Sequence, residues 1–191
     1  PGGGAQGAGA QGGFRMRGPD AHYSLEVGFL DAAKGATKRI TLPGGGTLDV
    51  KIPEGLADGQ VLRLRGKGGA GIGGGEAGDA LVTVSVGAHP VFRRDGADIL
   101  VDLPIGFDEA VLGAKVATPT IDGAVNLTVP KGATSGQVLR LRGRGVTVKG
   151  KAGDQLVSLK IVAPPVIDDE LADFMRGWRE AHGHDPRKGM V

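Results

Sequence analysis

The chain contains no cysteine, so disulfides, thiolate zinc sites and cysteine nucleophiles are excluded together. Aromatic residues are scarce, at 4% of 191 positions, with one Trp and one Tyr. A core with so few rings has to be built from Val, Leu and Ile, and the β-branched members of that set favour strands. No apolar run approaches the roughly 18 residues that a membrane-spanning helix needs. The chain opens without a signal-peptide pattern, and the two absences together give the expectation of a soluble protein. A strong excess of one charge is lacking as well. The formal net charge is +2 and the pI about 9.1, with acids and bases interspersed. That falls short of the imbalance expected of a dedicated nucleic-acid binder.

Glycine, in contrast, is abundant, at 37 residues, and is dense at the start. The segment PGGGAQGAGAQGGFRMRGPD has no periodicity and reads as a flexible linker over residues 1–19. Beyond it the dominant feature is an internal repeat. GQVLRLRGKG at Gly59 to Gly68 returns as GQVLRLRGRG at Gly136 to Gly145, 77 residues on. Upstream, Val50 to Gly55 (VKIPEG) matches Leu127 to Gly132 (LTVPKG). Downstream, GDALVTVSV from Gly78 matches GDQLVSLKI from Gly153. Phe29, Ala32 and Gly35 correspond to Phe107, Ala110 and Gly113. Two copies of one small domain follow, over residues 20–92 and 93–166.

Each copy is written in alternation of period two: Tyr23-Ser-Leu25-Glu-Val27, Leu48-Asp-Val50-Lys-Ile52, Val61 to Arg65 and Leu81 to Val86. Such alternation turns one face to a core and one to water. Turn residues at intervals of roughly ten suggest meandering antiparallel sheets. Short helical turns are expected at Phe29 to Lys34 and Phe107 to Leu112, ending on Gly35 and Gly113 as left-handed caps. The expected fold is therefore mainly β: two tandem homologous small β-sandwich domains, each with a short helix, followed by a C-terminal helix over 167–183 and a tail, 184–191. In that helix Asp168 is the expected cap and Gly183 the stop. Leu171, Phe174, Met175 and Trp178 form one apolar stripe that covers its own domain or meets a partner.

Catalytic templates fail on inspection. GVTVKGKA, Gly145 to Ala152, has phosphate-loop spacing, but Ala152 stands where Ser or Thr must reach magnesium, so a hairpin turn is expected. The run GKGGAGIGGGEAG, Gly66 to Gly78, leads into no helix and reads as a flexible loop between strands. Of the four His, His22 and His89 sit alone beside strands without carboxylates at ligand spacing, while His182 and His184 are followed by Asp185. His182 and His184 alone are too few for a structural or catalytic metal site, so no metal and no cofactor is expected. Arg63 and Arg65, with Arg140 and Arg142, share an outward strand face. This is a solvated surface or a phosphate-tracking stripe, though without the aromatic platform of single-strand binders. What remains is an apolar surface. Tyr23 and Leu25 project on one face of the first strand. Ile40 and Leu42 project from the next, with Lys38 on the same side. These residues are either ordinary core or a depression suited to an extended peptide added at a sheet edge.

The assembled strings resemble the C-terminal region of the DnaJ family of co-chaperones, over about Arg17 to Ala181. His89 to Gly113, HPVFRRDGADILVDLPIGFDEAVLG, is similar to the family's junction between two β-sandwich domains, and the two GQVLRLRG segments are further landmarks. The family's zinc insertion would fall at LPGGGT, Leu42 to Thr47, where this chain has no Cys. The likeness is thus to the class without zinc, or to the curved-DNA-binding relative. It implies a non-enzymatic, cytoplasmic module that binds unfolded polypeptide through Tyr23, Leu25, Lys38, Ile40, Leu42 and, at the boundary, Phe107. It also implies a homodimer formed through Leu171, Phe174, Met175 and Trp178. Clients would pass to a DnaK-type chaperone by way of a J-domain that this sequence does not include. DNA binding is the alternative implied by the same resemblance, and no membrane partner is expected.

Overall fold

A computed structural model describes residues 13–42 and 45–190. Most of the expected linker, residues 1–12, lies outside the described residues, as do Pro43 and Gly44 of the expected zinc-free turn and the last residue of the tail.

Chain order is β1 (Ala21–Val27), α1 (Phe29–Lys34), β2 (Ala36–Thr41), β3 (Thr47–Ile52), β4 (Val61–Leu64) and β5 (Ala80–Val86) in the first copy. The second has β6 (Phe92–Asp95), β7 (Asp98–Gly106), α2 (Phe107–Leu112), β8 (Ala114–Thr120), β9 (Gly123–Val129), β10 (Val138–Leu141), β11 (Thr147–Val148), β12 (Lys151–Ala152) and β13 (Gln155–Val162). Helix α3, Asp169–His182, follows. The fold is mainly β, and both short helices and α3 stand where the sequence places them. The Asp168 side chain accepts from the Leu171 amide at 2.8 Å, capping α3 as expected.

The sheets differ from a pure antiparallel meander. The first copy has a three-stranded sheet, β1-β5-β4, and a hairpin, β2-β3; the second has β10-β13-β7-β6, with hairpins β8-β9 and β11-β12. β1 runs parallel to β5, from Ala21 opposite Ala80 to Val27 opposite Val86. The physical reason is that α1 and the β2-β3 hairpin carry the chain away before it returns, so sequence neighbours are not sheet neighbours. The hairpin β11-β12 replaces the phosphate-loop template, with Lys149 at a positive φ of 50° in its turn. Gly35 and Gly113 do take positive φ, 80° and 76°, but with ψ of 147° and 151°. They redirect the chain into an extended strand rather than closing a left-handed cap.

In the first copy Val27, Leu48, Val50, Ile52, Leu56, Ala80, Val82 and Val84 form one buried cluster between the two sheets. Burying each Val, Leu or Ile of such a set contributes about 1.5–3 kcal/mol, which is how a chain poor in aromatics sustains a core. The contacts group the chain into two compact units. One runs up to Val101 and adds Pro119–Ala124 and Leu139–Val157. The other comprises Asp102–Thr118, Val125–Val138 and the residues from Ser158 on. The repeat boundary expected after residue 92 falls inside the first unit, because Phe92 is buried with Ala33, Ile99, Val101, Ile121 and Val146.

The Gly66–Gly78 loop holds the end of the linker. Met16 and Ile72 exchange backbone hydrogen bonds of 3.1 and 3.0 Å, Gly18 donates to the Glu76 carbonyl, and Gly69 donates to that of Pro19. A side chain at Gly75 would collide with the Met16 carbonyl, and one at Gly78 with that of Pro19. Close backbone approach, rather than looseness, is what requires glycine in this loop.

Candidate functional site

Alternation on β1 turns Tyr23 and Leu25 inward while His22, Ser24 and Glu26 are exposed. On β2 it turns Lys38 and Ile40 inward, with Thr37, Arg39 and Thr41 exposed. Leu42 follows on the inward side. Register on the hairpin sets Lys38 opposite Val50 and Ile40 opposite Leu48. Tyr23, Leu25, Ile40 and Leu42 all pack against the first core, yet each remains only half-buried. The structure thus brings together four of the apolar side chains singled out from the sequence, as the exposed lip of a buried cluster. Lys38 Nζ is held 2.5 Å from Asp31 Oδ2 of α1, which fixes the cation beside Ile40. β1 is the edge of its sheet and β2 pairs only with β3, so among the described residues both strands keep an open edge.

Phe107 opens α2, is 53% exposed, and lines an apolar cavity of about 710 Å³ with Ile161, Val162, Ile167, Leu171 and Met175. Its counterpart Phe29 is half-buried and stacks on Phe92, with ring centroids 6.2 Å apart. Along α3 no residue is buried. Phe174, Met175 and Trp178 are exposed at 64%, 38% and 52%. The stripe expected from periodicity is therefore an uncovered apolar face.

The arginine stripes are half neutralised. Arg63 lies 2.5 Å from Asp79, and Arg140 lies 3.4 Å from Asp154, its equivalent in the other copy. The Gly66 amide first, and then the Arg63 guanidinium, hold the Asp79 carboxyl below its ordinary value. Arg65 and Arg142, just beyond the ends of β4 and β10, are exposed.

Two groups were not apparent from sequence reasoning. Arg94 donates to the carbonyls of Leu56 at 2.7 Å, Gly55 at 2.9 Å and Gly96 at 2.7 Å, and burial pushes its guanidinium below the ordinary value. His89 accepts at Nδ1 from the amides of Val91 and Phe92, and its ring lies against Phe29 and Phe92. Both belong to the string His89 to Gly96, whose only sequence signal was the family likeness. A third device recurs in both copies. Asp20 accepts from the Asp79 amide at 2.7 Å, as Asp98 accepts from that of Asp154 at 2.8 Å.

A family model described as the DnaJ C terminal domain matches residues 21–164. The chain is 45% identical over 149 residues to Chaperone protein DnaJ 2 of Mycolicibacterium paratuberculosis, covering 76% of this chain and 38% of that protein. To the protein of the same name from Nocardia farcinica it is 46% identical, covering 39% of that protein. To the Curved DNA-binding protein of Coxiella burnetii it is 38% identical over 191 residues, covering 93% of this chain and 61% of that one. The chain thus spans about two fifths of the length of these DnaJ relatives and about three fifths of the other.

Proposed function

The chain belongs to the DnaJ C-terminal domain family, and on that premise we propose that it is a chaperone-type module that holds unfolded polypeptide in the first copy. The observation that carries this reading is the row Tyr23, Leu25, Ile40 and Leu42. It is half-buried on two strands that each keep an open edge. An extended client segment has unpaired amides and carbonyls, and an open edge offers their partners. The apolar lip then selects side chains. Covering one large apolar side chain adds about 1.5–3 kcal/mol, so affinity grows with a few well-placed residues rather than with charge. Lys38, tethered to Asp31, sets one polar limit of the groove.

Two chains would join through Leu171, Phe174, Met175 and Trp178, giving two grooves on one particle and avidity for a client that reaches both. Phe107, expected at the boundary of the groove, lines the apolar cavity beside α3. Transfer of clients to a DnaK-type chaperone is the corresponding proposal for the longer protein. An aggregation assay tests the reading: the chain keeps a chemically denatured enzyme in solution, and replacing both Leu25 and Ile40 by Ser removes that protection.

DNA binding is the second reading. It is favoured by the exposed Arg65 and Arg142 and by the named curved-DNA-binding relative. The ion pairs of Arg63 and Arg140 weaken it, since they leave less charge to displace counterions.

A further inference from the structure

The repeat extends upstream of β1, into the segment that leads from the linker. Phe14-Arg-Met-Arg-Gly-Pro-Asp20 returns as Phe92-Arg-Arg-Asp-Gly-Ala-Asp98, 78 residues on, the offset that also relates Phe29 to Phe107. The two segments enter equivalent strands through the same bond. Asp20 accepts from the Asp79 amide, and Asp98 from that of Asp154. A side chain at Gly78 would meet the Pro19 carbonyl, and one at the equivalent Gly153 that of Ala97.

At the end of the first copy, the second of these segments closes an aromatic site. Ala88-His-Pro-Val-Phe92 sets Phe92 against Phe29 of α1, with ring centroids 6.2 Å apart, and the His89 ring lies 4.8 Å from Phe92. Phe92 is 6% exposed there. At the end of the second copy the matching string is Ala163-Pro-Pro-Val-Ile167. Pro164 stands for His89 and Ile167 for Phe92, so two rings are missing where Phe107 stands for Phe29. Ile167 is 64% exposed, and the cavity it lines with Phe107, about 710 Å³, is larger than its first-copy counterpart of about 510 Å³. Among the described residues lining it, Phe107 alone carries a ring.

Phe14 is the repeat's equivalent of Phe92, and it is 78% exposed. The paired backbones of Met16 and Ile72 hold it at the Gly66–Gly78 loop, so its ring is presented from an anchored segment. Charge agrees with the shape. Arg15 and Arg17 flank Met16, while Asp108 lines the cavity, and α3, which lines it through Leu171 and Ala172, begins at Asp168, Asp169 and Glu170. We propose that the Phe107 cavity receives Phe14 and Arg15 from a second copy of this chain, the Phe14 ring lying against Phe107 as Phe92 lies against Phe29. The joint between chains then copies the joint between the two repeats. It is a heterologous contact, the head of one chain meeting the tail of the next. Phe174 and Trp178 do not line the cavity and stay available for pairing through α3. The contact does not rest on the peptide-binding reading. A single ring is a small anchor, so the contact forms at high chain concentration.

The test mixes two forms of the full chain, which has no cysteine to compete for a label. One form carries a nitroxide at Arg15→Cys and no isotope. The other has isotope-labelled amides and no nitroxide, so only contact between chains broadens its signals. Broadening is expected at Gly106 to Asp108 and at Ala172 to Met175. It is lost when Phe14→Ser is added to the first form or Phe107→Ala to the second. Both rings are more than half exposed, so each variant keeps its fold, which the unchanged amide spectrum elsewhere verifies. With Trp178→Ala in both forms the broadening persists. Absence of broadening at these amides overturns the proposal, as does broadening that survives Phe14→Ser or vanishes with Trp178→Ala. Nitroxide and isotope placed on one chain, diluted in unlabelled chain, leave these amides sharp. Broadening there instead means that Phe14 folds onto its own chain's cavity, and overturns the choice of a second copy.

Discussion

Tyr23 and Val101 occupy the same position in two copies of one strand; Val101, paired with Phe92 of β6, is 1% exposed, while Tyr23 is half-buried. In the second copy the chain's own β6 pairs with that strand, while β1 has no described strand on its outer side.

Replacing Leu25 and Ile40 together by Ser removes protection of a denatured enzyme against aggregation. Both side chains are half-buried rather than central. The far-ultraviolet circular dichroism is therefore retained, with a stability loss of about 1–3 kcal/mol. The equivalent substitution of the exposed β2 residues Thr37 and Thr41 leaves protection intact.

Trp178→Ala shifts the chain from dimer toward monomer in sedimentation velocity at micromolar concentration. The indole is 52% exposed on an α3 face with no buried residue. In the proposed dimer its loss removes contact with the second copy and little from the fold, so the melting temperature of the monomeric core is unchanged.

Arg94→Met leaves the carbonyls of Gly55, Leu56 and Gly96 without their donor. An unsatisfied buried group costs about 1–3 kcal/mol, so the expected loss is about 2–4 kcal/mol. For a chain of this size that lowers the melting temperature by about 5–15 °C. Arg94→Lys recovers only part, since an ammonium cannot span three carbonyls as a planar fork does.

Asp79 supplies an acid-dependent part of stability. Its carboxyl is held below the ordinary value, chiefly by the Gly66 amide and then by Arg63. A depressed native pKa stabilises the fold above the unfolded value of about 3.9 and loses that contribution as pH falls through the native value. Urea unfolding therefore shows stability falling below about pH 4 in the parent chain. Asp79→Asn is less stable at pH 7, and its stability falls less steeply on acidification.

Gly75→Val detaches the segment that ends the linker, because the new side chain meets the Met16 carbonyl. Trypsin then cleaves after Arg15 and Arg17 faster than in the parent chain, while the sites on β4 and β10 keep their rates.

The repeat and its alternation were legible because period-two patterning and turn residues are local, and the cap of α3 at Asp168 was legible for the same reason. Side-chain direction on β1 and β2 followed from the same pattern, which is why Tyr23 and Leu25 turn inward on one strand and Lys38 and Ile40 on the other. The parallel pairing of β1 with β5 was not legible, since it joins residues nearly 60 positions apart in sequence. Nor was the role of Arg94, whose three partners are carbonyls that any sequence would supply. The glycines at 75 and 78 look like flexibility in sequence and are tight packing in space. The likeness of Phe29 to Phe107 hid a divergence: one ring stacks on Phe92, and the other faces the C-terminal cavity.

The central claim is that the half-open row on β1 and β2 binds extended apolar polypeptide. The most direct test is an anisotropy titration of a fluorescein-labelled apolar heptapeptide with the parent chain and with Leu25→Ser, repeated with a labelled DNA duplex at 50 and 200 mM salt. The account predicts saturable peptide binding that changes little with salt and weakens at least tenfold in Leu25→Ser. Absence of peptide binding, together with tight duplex binding that falls steeply with salt, contradicts it.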